Sequence, residues 1–169
     1  AWWTELEPTF QQDTAISLGH PSDNPARLTS HDWITTQMTP WNQAQIRQAM
    51  NGPQNTGFWN INVLKAGTYE VRLRRWPAEA NQPLGAAVAP GEPVPGTRAF
   101  RTTPGKAIAP VKVSLKIGEQ TWEAKTSPED LEATITVELP AGRFRMSALF
   151  ETADGDVYGA YYAYVTRKE

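Results

Sequence analysis

Strict two-residue alternation, returning repeatedly between residues 59 and 165, most limits what this chain can become. Trp59, Ile61 and Val63 alternate with Asn60 and Asn62; after the turn Lys65-Ala66-Gly67-Thr68, Tyr69, Val71 and Leu73 alternate with Glu70, Arg72 and Arg74. Successive side chains of a strand leave on opposite sides, so each run buries one face and wets the other. Two such runs around a glycine-bearing turn predict a hairpin. Continuing the register puts Trp76 beside Arg72 and Arg74 on its outer face unless a bulge intervenes. Val111, Val113, Leu115 and Ile117 oppose Lys112, Ser114 and Lys116, and Trp122 follows the Gly118-Glu119 turn in a further short strand. Ala133, Ile135, Val137 and Leu139 oppose Thr134, Thr136 and Glu138; Pro140-Ala141-Gly142 then turns into Phe144, Met146, Ala148 and Phe150. A last run, Val157 to Val165, is expected to lie centrally, covered on both faces. Eight or more short strands with turn signals between them, and no strongly periodic helix, predict an all-β fold: a two-sheet antiparallel, jelly-roll-like sandwich.

Outside these runs the texture changes. Residues 1–56 are polar and punctuated by Pro21, Pro25, Pro40 and Pro53. They are expected to form an irregular N-terminal extension packing on the sandwich, with helical turns near 5–12 and 43–50, the latter after Asn42 as N-cap. Residues 57–169 form the sandwich domain, carrying a long loop over 77–105 that holds six Pro and four Gly. Loops of that length without structure of their own are either functional or tolerated surface excursions. The opening Ala1-Trp2-Trp3, without Met, reads as a cut from a longer protein in preference to a processed mature terminus, which makes 1–56 a candidate linker from a preceding domain.

Composition narrows the function. Seven Trp, five Tyr and five Phe supply a core large enough for one domain of 169 residues. Sixteen Lys and Arg against eighteen Asp and Glu leave no positive field to gather nucleic acid. No run of apolar residues is long enough for a membrane-spanning helix. With no cysteine there is neither a thiolate metal site nor a Cys nucleophile, and with only His20 and His31 there is no three-histidine metal centre. No G-x-S-x-G elbow, phosphate loop or dinucleotide fingerprint occurs. The adjacent acids Glu5 and Glu7, Glu129 and Asp130, and Asp154 and Asp156 read as turn residues rather than a glycosidase pair. No catalytic residue, metal ligand or cofactor is therefore assigned to the chain.

Two clusters remain as candidate contacts to a ligand or to a neighbouring domain. His31, Asp32 and Trp33, with Trp41, Asn42 and Gln43, combine indole with planar polar groups. Sugars are recognised by that mixture, because a pyranose stacks on indole while its hydroxyls need donors and acceptors. The preferred alternative is that Trp33 and Trp41 are anchors pinning the N-terminal segment to the core. Arg72, Arg74 and Trp76 offer two guanidinium forks for a sulfate or carboxylate, or partners for Glu70, Glu79 or another domain.

Several segments, in this order, resemble bacterial arylsulfatase-like proteins: Trp2-Trp3-Thr4-Glu5-Leu6-Glu7-Pro8, Leu28 to Trp33, Pro40-Trp41-Asn42-Gln43, Gly57-Phe58-Trp59, Ala66 to Pro77 with its Leu-Arg-Arg-Trp-Pro run, Leu139-Pro140-Ala141-Gly142 and Gly159-Ala160-Tyr161-Tyr162. The similarity is to the C-terminal accessory domain of those enzymes. It implies that the intact parent hydrolyses sulfate esters, often on sulfated glycans, and is exported to the periplasm or beyond. The family's catalytic domain carries a Cys-x-Pro-Ser-Arg motif that becomes formylglycine, together with a calcium ion; neither that motif nor its serine variant occurs here. The resemblance thus implies a non-catalytic domain whose partner is a sulfatase catalytic domain in cis, and which helps to shape the substrate cleft. The alternative is an autonomous carbohydrate-binding module for sulfated or other glycans, since its glycine-bearing Trp and Tyr runs are also similar to those of jelly-roll sugar binders.

Overall fold

The alternating runs become strands, and the strands sort into two stacked sheets. In the computed structural model, residues 2–9, 13–35, 43–49, 52–92, 96 and 104–168 are described. Their strands are β1 (Ile16–Leu18), β2 (Ala26–Thr29), β3 (Trp59–Val63), β4 (Gly67–Arg74), β5 (Pro110–Ile117), β6 (Gln120–Lys125), β7 (Ala133–Leu139), β8 (Gly142–Thr152), β9 (Val157–Gly159) and β10 (Tyr162–Arg167). The first sheet has the order β1-β3-β8-β5-β6, with β9 also pairing with β8; the second runs β2-β10-β4-β7. The chain is an all-β, jelly-roll-like sandwich, antiparallel except where β1 lies parallel to β3.

The buried positions are those the alternation marks. Trp59, Ile61, Val63, Val113, Leu115, Ile117, Met146, Ala148 and Phe150 from the first sheet face Tyr69, Val71, Leu73, Ala133, Ile135, Val137 and Leu139 from the second. Each large apolar side chain so enclosed stabilises the fold by about 1.5–3 kcal/mol. Val111 breaks the pattern: it is exposed, because the pairing of β5 with β8 shifts register between Pro110 and Lys112.

Pairing, by contrast, departs from the expected hairpin. β3 bonds to β1 and β8, and β4 to β10 and β7, so Leu64 to Ala66 carry the chain from one sheet across to the other. Both runs still bury one face, but they meet across the interior instead of side by side. The same step recurs at Pro140-Ala141, between β7 and β8. The run from Val157 to Val165 also divides: β9 finishes in the first sheet, and β10 begins in the second, central between β2 and β4. Two local hairpins form as read: β5 with β6, turned by Gly118 at φ 58°, where a side chain would be strained, and β8 with β9, turned through Asp154-Gly155-Asp156.

Residues 1–56 are not an extension resting on a finished sandwich, which corrects the expected boundary at 56. β1 lengthens the first sheet through Ile16–Leu18 against Ile61–Val63, and β2 closes the second through Ala26–Thr29 against Tyr162–Val165. Leu18, Ala26 and Leu28 are fully buried. Of the two expected helical turns, that expected over 5–12 starts earlier, as α1 (Trp2–Leu6) followed by a single 3-10 turn at Glu7–Thr9, with residues 10–12 outside the described residues, whereas that near 43–50 forms as α2 (Gln43–Gln48). Among the described residues no helix is long and apolar enough to cross a membrane.

Candidate functional site

The first cluster singled out in the sequence is built into the fold. Thr29 caps a 3-10 turn at Ser30–Asp32, and the Asp32 carboxylate accepts hydrogen bonds from the Thr29 backbone N–H and hydroxyl, both at 2.9 Å. Asp32 is thereby engaged in its own turn, while His31 is exposed on it. Trp33 is only 6% exposed. Its ring centroid lies 5.6 Å from that of Trp59 and 5.5 Å from that of Tyr161, and Gly57 and Gly159 leave room for it where a Cβ would approach to 2.6 Å. Trp33 therefore occupies the anchoring role. Trp41 and Asn42 lie outside the described residues, as does the side chain of Gln43, whose backbone opens α2.

The second cluster does not form the expected outer face. Arg74 and Trp76 are buried, at 6% exposure each, and Arg72 is half-buried. Glu132 lies between the two guanidiniums, 3.7 Å from Arg72 and 3.2 Å from Arg74, and Arg72 also covers the Tyr164 ring at 5.6 Å. A carboxylate already fills the place an anion would take. Neither Glu70 nor Glu79 is the partner: they pair with Lys168 and Arg27.

Between Arg74 and Trp76 stands fully buried Arg75, which continues the inward register of Tyr69, Val71 and Leu73 but is not a candidate on sequence alone, because a charged residue there reads as solvated. Its Nη1 donates to the carbonyls of Leu84 and Ala86, and its Nη2 to those of Arg47 and Lys106. Its guanidinium lies 4.6 Å from the Trp76 ring centroid. Burial lowers its pKa to about 10, the charge being held by carbonyl dipoles rather than by a carboxylate. One side chain thus ties both ends of the proline-rich loop to the end of α2. Leu84 within that loop is itself a core residue, so its described part around Leu84 is packed and not a loose excursion. A groove of about 340 Å³ beside it is bordered by Arg47, Trp76, Pro77 and Tyr162. Arg75 covers one face of Trp76 and Arg27 approaches Tyr162 at 6.0 Å, so both rings already have cationic partners.

Open polar surface lies instead on the outer face of the first sheet. Register places Asn62 opposite Arg143 and Asn60 opposite Arg145 across β3 and β8, and Lys116 opposite Ser147 across β5 and β8. These residues alternate with buried Ile61, Met146 and Ile117, so they share the solvent side. Three adjoining hollows of about 220, 460 and 420 Å³ run along this face, and Arg143 borders all three. Asp13 lies at one end and Glu119 at the other. Arg145 is held over the Phe58 ring at 4.6 Å. Sequence proximity does not bring this set together, because Asn62 and Arg143 are 81 residues apart and Asn60 and Arg145 are 85. Period-two spacing of Asn60 with Asn62 and of Arg143 with Arg145 was the available signal, but strand pairing was not.

Among the described residues no group of three or more His, Asp or Glu is placed to hold a metal ion. His20 accepts a hydrogen bond from the Ser22 N–H within its own turn, and Asp130 accepts from Ser127 N–H and the Thr126 hydroxyl in another.

No protein-family model matches the sequence, and no curated protein matches it. Solved structures similar to it include a ruminal GH26 endo-β-1,4-mannanase, at 11% identity and a TM-score of 0.42, over 86% of this chain and 26% of that one. The chain thus spans about a quarter of that enzyme's length. Another is the carbohydrate-binding module CBM6cm-2 from Cellvibrio mixtus lichenase 5A in complex with cellotriose, at 13% identity and a TM-score of 0.39, over 86% and 99% of the two chains. A third is Pika GITRL, at 17% identity and a TM-score of 0.29, over 70% and 91%.

Proposed function

We propose that this chain is a non-catalytic carbohydrate-binding module, and that its ligand lies along the outer face of the first sheet. One observation carries the reading: Asn60 and Asn62 stand beside Arg143 and Arg145 in a strip of adjoining hollows open to solvent. Planar amides donate and accept at once, and guanidiniums donate in forks, so neighbouring hydroxyls of a sugar chain can be met in pairs. A surface of strands holds such groups at fixed spacing, which lowers the entropy lost on binding. Isothermal titration with neutral and acidic oligosaccharides tests the reading. Binding that weakens at least about tenfold in the Asn60→Ala, Asn62→Ala double variant is expected, in proportion to the loss of two or more hydrogen bonds. Silence of the whole panel at millimolar concentration would refute it.

The second reading is the one the arylsulfatase resemblance implies: a C-terminal accessory domain packing in cis on a sulfate ester hydrolase that is exported and uses calcium and formylglycine. Trp2 and Trp3 favour it, being 69% and 58% exposed on α1, a helix that buries no residue against the sandwich. Two neighbouring indoles in water are an unusual surface unless another body covers them. The coding sequence upstream of Ala1 decides this reading: a Cys-x-Pro-x-Arg or Ser-x-Pro-x-Arg motif supports it, and any other kind of domain there rules it out.

A further inference from the structure

We infer that the ligand of this face is an acidic carbohydrate, one that carries carboxylate or sulfate groups, gripped by Arg143 and Arg145 with Lys116 beside them. The inference rests on the binding reading above and adds the charge of the ligand. Its basis is a contrast among the cations of the molecule. Arg27 pairs with Glu79, Arg72 and Arg74 share Glu132, Lys112 lies between Glu123 and Glu151, and Lys168 meets Glu70. Arg75 and Arg47 are taken up by backbone carbonyls. Arg143, Arg145 and Lys116 have no carboxylate within ion-pairing distance among the described residues, although Asp13 and Glu119 border the same hollows; Lys65, Lys106, Lys125 and Arg167 form no ion pair either, but none of them borders these hollows.

These three converge on one face of adjacent strands. Arg143 and Arg145 are two residues apart on β8, roughly 7 Å along a strand, and both are exposed. Like charges at that spacing repel, and an anion between or along them removes the repulsion. Phe58 under Arg145 fixes one guanidinium in advance, so less side-chain freedom is lost when a fork closes on a carboxylate or sulfate. Asn60 and Asn62, directly across from the two arginines, would meet the hydroxyls between successive acidic groups. A net charge of -2 over the whole chain leaves no long-range positive field to gather nucleic acid.

Titration calorimetry of the full chain with three probes tests the inference: a neutral manno-oligosaccharide, an oligogalacturonate and a sulfated galacto-oligosaccharide. At least one acidic probe is expected to bind about tenfold or more tighter than the neutral one, and to weaken as salt is raised. Comparing the oligogalacturonate with the sulfated probe tells carboxylate from sulfate recognition. Arg143→Ala and Arg145→Ala should each lower that affinity about tenfold with an unchanged thermal midpoint, whereas Lys168→Ala, on the other sheet, should not. If the neutral probe binds as tightly as both acidic ones, the inference is wrong and the binding module stands. If no probe binds, both fail. Acidic binding that ignores Arg143 and Arg145, or equal affinity for a single-stranded oligonucleotide, also overturns it.

Discussion

At the scale of single residues, the stability of this fold depends on polar groups that have been taken far from water. Arg75 keeps its charge because four carbonyls point at it; losing those bonds would leave a buried cation unmatched, which costs several kcal/mol. Tyr161, fully buried nearby, has a hydroxyl without a partner among the described residues, and burial pushes its pKa up to about 12. Unfolded, the same phenol ionises near 10. Between pH 10 and 12 the unfolded chain therefore holds fewer protons at this site than the native one, so stability contributed below pH 10 is lost as pH rises through that window. Two units correspond to on the order of 2–3 kcal/mol. Arg75, lowered to about 10, acts in the opposite sense and is electrostatically coupled to Tyr161, so a Tyr161→Phe comparison reads the phenol together with its effect on Arg75. Tyr161→Phe is expected to be close to neutral at pH 7, since no hydrogen bond is broken, and to flatten the fall of the urea midpoint above pH 10. Parallel curves for the two proteins would disprove this account.

At the scale of elements, the crossings between sheets set the design. After β9 the chain turns through Ala160 and Tyr161 into the opposite sheet, with the Ala160 N–H bonded to the Ala148 carbonyl at 3.0 Å. Trp33 fills the corner so formed, and its ring end lies where a Cβ on Gly159 would come within 2.6 Å. Trp59 reinforces the corner by donating its indole N–H to the Thr29 carbonyl at 2.7 Å, which links β3 of one sheet to the end of β2 in the other. The contact at Gly159 is steric alone, its backbone being one that any residue can adopt. Gly159→Ala is expected to cost about 1–3 kcal/mol by forcing Trp33 to shift. Part of that loss should be recovered in Gly159→Ala combined with Trp33→Leu, relative to Trp33→Leu alone, because the two sites touch. Denaturant midpoints of the four proteins measure it, and simple additivity would show that Trp33 is not what the glycine accommodates.

At the scale of the whole molecule, strands from the first thirty residues are woven into the sheets along with the last strand. β2 pairs with β10, so Ala26 sits opposite Val165, and β1 extends the sheet that carries the polar strip. α1, by contrast, buries nothing. A chain beginning at residue 16 should therefore fold with a thermal midpoint close to that of the full chain. One beginning at residue 30 lacks fully buried Leu18, Ala26 and Leu28 and leaves one edge of β10 unpaired. It should show no cooperative thermal transition and a collapsed amide NMR spectrum. A dispersed spectrum from that shorter chain would restore the boundary at 56 that the texture of the sequence suggested.

Alternation by itself determined that the chain is all-β, which residues face inward on β3, β4, β7 and β8, and where the Gly118 turn falls, because period-two placement of side chains is a local property of a strand. The sequence also marked Asp32 and Trp33 as notable and offered anchoring as a role for Trp33, without showing the capping turn that holds Asp32 or the corner that Trp33 fills. Pairing was settled only in three dimensions. A run such as Tyr69 to Leu73 buries the same face whether its partner lies beside it in one sheet or across the interior, and nothing local separates the two. For the same reason Asn60 and Arg145 became neighbours only once β3 was laid against β8, and Arg75 became a buried clamp only when the segments near 47, 84 and 106 closed around it.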